Sequence, residues 1–142
     1  MSGFLLDTNV VSELMKARPS RRVAAWIEST PESLLHLSVL TLGEVRKGID
    51  MLDDNDARRG ALQSWLDRDV RIRFAGRILL LDDAIAERWG QLEAAARKHR
   101  ITLPTIDAQM AATALHHNLT FATRNIADVR STGVATFDPW SN

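Results

Sequence analysis

The chain is 142 residues long, holds no cysteine and balances 18 basic against 18 acidic residues. That length suits one domain, residues 1–142, and the missing cysteines exclude disulfides and thiolate metal sites and fit a reducing compartment such as the cytoplasm. With 45% hydrophobic and 25% charged residues the chain reads as globular rather than disordered, and its zero net charge argues against a nonspecific nucleic-acid binder. No apolar run approaches the roughly 20 residues that span a bilayer, so no membrane contact is expected, and nothing at the start resembles a signal peptide. Basic residues do cluster locally, at Arg18, Arg21 and Arg22, at Arg71, Arg73 and Arg77, and at Lys98, His99 and Arg100. Their default role is a solvated surface or helix end.

Residues 3–6 form a short apolar run that stops at Asp7 and predict a first strand. A helix is expected over 8–16, ending before Pro19, and Ser20 suits the N-cap of a second helix with Val23, Trp26 and Ile27 on one face. Pro31 closes that segment, and 34–39 predict a second strand. Residues 41–52 carry Val45, Ile49 and Leu52 at helical spacing. Residues 53–56 make an acidic turn, and 57–69 predict a helix with Ala61, Leu62, Trp65 and Leu66 inward. A third strand over 78–81 precedes a long helix over 83–99, striped by Ile85, Trp89, Leu92 and Ala96. Pro104 suits the first turn of a helix running to 117. Strands over 119–123 and 133–137 flank a loop at 124–132. Strands separated by helices imply parallel pairing through helical crossovers, hence a single α/β domain whose central parallel sheet has four or five strands flanked by helices.

Three acids stand out in that frame. Open α/β sheets bind ligands beyond the carboxyl ends of their strands, and Asp7 ends the first one. Asp107 precedes Met110, Ala111 and Ala114 by three, four and seven residues, which puts it within the inward stripe of its helix, opposite Thr105, Gln109 and His116. A buried carboxylate requires a cation, a set of hydrogen bonds or a proton. Glu44 follows the second strand. Each acid also has a local explanation: Asp7 as a helix cap, Glu44 as the far end of a Thr41-Leu42-Gly43-Glu44 capping box, and Asp107 as a first-turn complement to the helix dipole. Taken together they favour a shared site, and carboxylates are the hard donors that Mg²⁺ and Mn²⁺ prefer. Two carboxylates ~5 Å apart repel by about 3 kcal/mol at an effective dielectric of about 20, so such a cluster is kept mainly to bind a cation. None of the histidines, His36, His99, His116 or His117, has a place among the acids. The tryptophans Trp26, Trp65 and Trp89 fall on apolar stripes and are assigned to the core.

Four segments in order resemble the motifs of PIN-domain proteins. These are Phe4-Leu5-Leu6-Asp7-Thr8-Asn9-Val10-Val11-Ser12-Glu13, Leu37-Ser38-Val39-Leu40-Thr41-Leu42-Gly43-Glu44, Asp107-Ala108-Gln109-Met110-Ala111-Ala112-Thr113-Ala114 and Phe121-Ala122-Thr123-Arg124-Asn125-Ile126-Ala127-Asp128, with Asp138-Pro139-Trp140 as the usual ending. The resemblance is greatest to the VapC/FitB-like toxins of bacterial type II toxin–antitoxin systems. It implies a PIN fold and a toxin that cleaves RNA endonucleolytically with Mg²⁺, for which Mn²⁺ substitutes, leaving 5′-phosphate products. Asp7, Glu44 and Asp107 match the family's catalytic, metal-holding acids. It also implies a small cognate antitoxin with its own DNA-binding domain, contact with operator DNA only through that antitoxin, and a homodimer or a toxin–antitoxin hetero-oligomer. The fourth motif often has an Asp where this chain has Asn125; Asp128 is the other candidate for that corner, Asn9 and Thr123 are accessory candidates, and Arg124 is a candidate RNA contact. Asn125 also leaves open a catalytically inactive PIN-like interaction module. A strand ending in Asp7 further suits aspartyl phosphotransferases of the haloacid-dehalogenase type, but their second Asp is Asn9 here.

Overall fold

The computed structural model describes residues 3–141. The elements are β1 (Phe4–Leu6), α1 (Thr8–Met15), α2 (Arg21–Ser29), β2 (Leu35–Ser38), α3 (Val39–Asp50), α4 (Arg59–Ser64), a π-helical turn (Trp65–Val70), α5 (Arg71–Arg73), β3 (Ile78–Leu79), α6 (Asp83–Lys98), α7 (Thr105–His116), β4 (Thr120–Ala122), α8 (Ile126–Val129) and β5 (Thr136–Phe137). The strands form one five-stranded sheet in the order β3-β2-β1-β4-β5. Every pairing is parallel. Leu6 is opposite Ala122, so the residues leaving β1 and β4 emerge side by side.

The sheet is covered on both faces, as parallel sheets are, and β1 shows this in three residues. Phe4 and Leu6 point into a core shared with Val10, Val23, Leu35 and Leu37. Leu5 points to the other side, against Met110, Ala111, Ala114 and Phe121, as the two-residue side-chain period of a strand requires. Trp26 is half-buried and packs edge-on against Phe4, with ring centroids 5.0 Å apart and planes at 89°. Trp65 borders the same core, and Trp89 covers Ala96, Leu103 and Ala108 while donating its indole N–H to Glu93.

Several expected boundaries move. Helix α3 starts at Val39 rather than at 41, capped by Ser38, whose Oγ accepts from the Leu40 amide at 3.0 Å. The helix expected over 57–69 starts at Arg59 and runs on through the π turn to Arg73. Its inward residues Leu62, Leu66, Val70 and Phe74 recur strictly every fourth position; that spacing drifts off one face of a 3.6-residue helix, and the wider π turn restores it. Ala61 lies outside this series and is exposed rather than inward. Pro104 precedes α7 instead of occupying its first turn. The loop expected at 124–132 contains α8 and a 3₁₀ turn, Arg130–Thr132. The outer strands β3 and β5 are two residues each, and Leu80, expected in β3, is 69% exposed.

Gly3 feeds β1 with φ +98°, and a Cβ there would sit 2.6 Å from the Leu34 carbonyl oxygen. Gly3→Ala combines a strained backbone with a backbone clash and should cost about 1–3 kcal/mol, read as a lower midpoint in urea denaturation with an unchanged slope.

Candidate active site

The chain turns at Asp7, directly after β1. Its backbone amide bonds the Ala122 carbonyl at 2.9 Å, continuing the sheet, and the residue is 8% exposed. Asp7 Oδ1 accepts from the Thr8 amide at 2.8 Å, and Oδ2 accepts from the Thr123 hydroxyl at 2.7 Å. Asp7 is therefore both the N-cap of α1 and a carboxylate facing the carboxyl edge of the sheet. Thr123, fully buried beside it after β4, is itself fixed by the Asn125 amide, which donates to its Oγ at 3.0 Å.

Glu44 comes to this edge from α3 and accepts a hydrogen bond from the Thr8 hydroxyl. The Thr8 and Thr41 hydroxyls lie 3.2 Å apart. Thr8 thus holds two acids at once, Asp7 through its amide and Glu44 through its side chain. The expected Thr41–Glu44 capping box is not formed, because α3 is already capped at Ser38; Thr41 sits inside the helix and its hydroxyl faces Thr8. Sequence reasoning does not single out Thr8, and it reads Thr41 only through the Thr41-x-x-Glu44 spacing, as local to one helix, although that spacing marks a contact between two.

Asp107 is the third residue of α7. It is half-buried rather than enclosed in the apolar stripe, because α7 buries Ala108, Met110, Ala111, Ala112, Thr113 and Ala114 and leaves its first turn at the mouth of the site. Burial, then the negative charges of Asp7, Asp128 and Glu44, push its carboxyl up to about 6. Burial also raises Asp7, opposed by the hydrogen bonds from Thr123 and Thr8 and reinforced by the charges of Glu44 and Asp128. Asp128, exposed on α8, therefore shares the field of both buried-edge acids. Asn125 is exposed, and its side chain makes no cap to α8. Asn9 Oδ1 is buried without a hydrogen-bond partner among the described residues.

Members of two of the basic clusters have structural partners. Arg73 and Arg77 both pair with Glu32 and flank the Phe74 ring, and Arg22 donates to the Trp140 and Ser141 carbonyls. Arg124 is exposed, with its guanidinium carbon 5.1 Å from the Trp140 ring centroid.

The donors available to an ion at this edge are carboxylate, hydroxyl and amide oxygens, the set that suits a hard divalent cation. Among the described residues no three acidic or imidazole side chains stand close enough to enclose one. Such an open arrangement fits an ion that keeps part of its water shell, as Mg²⁺ does.

A five-stranded parallel sheet with coupled acids along its carboxyl edge defines the class, and the PIN-domain family model matches residues 4–130: the chain belongs to the PIN-domain family. More particularly, it is 38% identical over 136 residues to toxin FitB of Neisseria gonorrhoeae, covering 96% of this chain and 97% of that one. It is 35% identical over 136 residues to VapC ribonuclease Y4jK of Sinorhizobium fredii, covering 96% of both. The structure of FitAB bound to the IR36 DNA fragment superposes with a TM-score of 0.90 at 36% identity, over 96% of this chain and 95% of that chain. PIN-domain ribonucleases are generally dependent on divalent metal. No helix among the described residues is long and apolar enough to cross a membrane.

The raised acids have a stability signature. A carboxyl whose folded-state pKa exceeds its unfolded value keeps a proton that the unfolded chain releases, so metal-free protein should lose stability as pH rises from 3.8 through about 6. Asp107→Asn should flatten that decline and raise the melting temperature at pH 7, measured in EDTA across pH 4–8.

Proposed function

We propose that this chain is a toxin of a type II toxin–antitoxin system that hydrolyses RNA phosphodiester bonds endonucleolytically with Mg²⁺ or Mn²⁺. The observation that carries this reading is the electrostatic coupling of Asp107 with Asp7, Glu44 and Asp128 at the carboxyl edge of the sheet. Four acids sharing one field, two of them with raised pKa values, destabilise the apo protein, and a cation turns that penalty into binding energy. The names of toxin FitB and of VapC ribonuclease Y4jK support the same activity.

In this reading Asp7, Asp107 and Glu44 hold the ion, and Asp128 rather than Asn125 supplies the fourth charge. When bound, the ion polarises the phosphate and eases ionisation of the attacking water. The chain's own residues position the acids for that work. Thr8 and Thr123 each donate to one oxygen of the Asp7 carboxylate, and this sets its plane. The Thr8 hydroxyl engages one Glu44 oxygen, so the second would be the one available to help hold the ion. No serine or cysteine nucleophile is required, since water is the attacking group.

A cognate antitoxin neutralises the chain and carries the DNA-binding domain, so operator DNA is reached only through that partner. The FitAB–DNA structure supports this arrangement. The assembly is a homodimer or a toxin–antitoxin hetero-oligomer, and an RNA substrate suits a cytoplasmic chain.

Purified, antitoxin-free protein with Mn²⁺ should cleave total RNA, and Asp7→Ala should lower the rate about a hundredfold or more, the loss of several kcal/mol of transition-state stabilisation. Wild-type protein that binds metal but leaves RNA intact would favour the inactive interaction module. In the same preparations, Mn²⁺ at a hundred times its Kd should stabilise the fold by about 2.7 kcal/mol, an effect that Asp107→Asn abolishes in thermal melts.

A further inference from the structure

Arg124 directly follows Thr123, whose hydroxyl bonds Asp7. Trp140 follows β5, the parallel neighbour of β4. Both residues therefore leave the sheet at the edge that carries the acids. There the guanidinium of Arg124 lies over the Trp140 ring, 5.1 Å from its centroid. Trp140 is pinned from two sides: its amide donates to Asp138 Oδ1 at 2.8 Å, and Arg22 donates to the Trp140 and Ser141 carbonyls at 3.5 and 3.1 Å. Arg46, Arg58, Arg59, Arg73 and Arg77 each have a carboxylate within ion-pair distance. Among the described residues Arg124 has none, as is true of several other exposed arginines; what sets it apart is its place over Trp140, directly after the residue that bonds Asp7. Arg124 is exposed at that edge, within reach of a ligand outside the fold.

A phosphodiester approaching four acids meets repulsion that a neighbouring cation must offset. A lysine would serve for charge alone. A guanidinium stacked on an indole has a fixed plane, a second face open to solvent and N–H edges that match phosphate. Unpaired RNA bases stack on such faces.

We propose that Arg124, held over Trp140, forms a subsite for one unpaired RNA nucleotide next to the scissile phosphate. The base stacks on the open guanidinium face, and an N–H edge meets the adjoining phosphate. This subsite rests on the ribonuclease reading given above and extends it to the form of RNA accepted, a single strand or a splayed loop rather than a continuous duplex.

The test is fluorescence anisotropy with a fluorescein-labelled single-stranded RNA dodecamer, in EDTA so that nothing is cleaved, with melting temperatures confirming that each variant is folded. Arg124→Ala should bind about fivefold to a hundredfold more weakly, the range of one stacked base. Arg124→Lys, which keeps the charge, should recover only part of that loss, and Trp140→Phe, which keeps a smaller ring, should fall between wild type and Arg124→Ala. On an abasic dodecamer of equal charge, wild type and Arg124→Lys should bind alike. Wild-type affinity in Arg124→Ala overturns the subsite, and wild-type affinity of Arg124→Lys for the base-bearing probe reduces Arg124 to a point charge and overturns it too. Cleavage of total RNA by wild type with Mn²⁺ is scored in parallel. Its persistence alongside unchanged binding by Arg124→Ala sinks the subsite alone, whereas its absence sinks the ribonuclease reading and the subsite with it.

Discussion

The site hangs on one parallel strand pairing. Leu6 opposite Ala122 places Asp7 and Thr123 next to each other at the ends of β1 and β4, and the Asp7 amide extends the ladder by one more bond to Ala122. From that pairing follows the buried hydroxyl–carboxylate contact at 2.7 Å, which makes it tolerable to bury Asp7 between two cores. A carboxylate with both oxygens bonded loses less on leaving water than a bare one, and Asp7 is accordingly raised by burial but restrained by Thr123 and Thr8. The remaining acids are then brought to this fixed point by helices: Glu44 by α3, Asp107 by α7 and Asp128 by α8.

Much of this was legible in the sequence because it depends on periodicity and chain order. The abrupt stop of Phe4-Leu5-Leu6 at Asp7 marks a strand end, and alternation of strands and helices implies the parallel sheet. Asp107 attracts notice because a charge among Met110, Ala111 and Ala114 breaks an apolar pattern. What was not legible depends on contacts between segments distant in the chain. Thr8 and Glu44 are 36 positions apart, and nothing in either neighbourhood announces the bond. The Thr41-x-x-Glu44 spacing has a complete local explanation, and only the position of Ser38, one residue beyond the β2 side chains that face the core, shows that the helix has already begun. Likewise, strict four-residue spacing from Leu62 to Phe74 hides a π turn, because an α-helix tolerates moderate drift. The nearness of Asp128 to Asp7 and Asp107 depends on α8, which the sequence reading takes as a loop.

The local basic clusters show the same division. Proximity in sequence groups Arg71, Arg73 and Arg77, but two of them are committed to Glu32 and Phe74, so they serve the packing of α5 against the turn before β2. The arginine that leaves the sheet beside the acids, Arg124, belongs to no cluster. Its surroundings come from the residues after β5, where Trp140 lies under its guanidinium.

The two-residue outer strands β3 and β5 have a consequence for how the chain behaves at high concentration. A sheet edge recruits other chains through its unpaired amides and carbonyls, and natural proteins blunt that hazard by shortening the edge. Here either margin offers a newcomer only a pair of residues, too few to template a cross-chain ladder. Aggregation by strand addition is thereby disfavoured at both margins, and any stable assembly of this chain must draw on helix faces and their side chains, surfaces that select a partner by shape and chemistry.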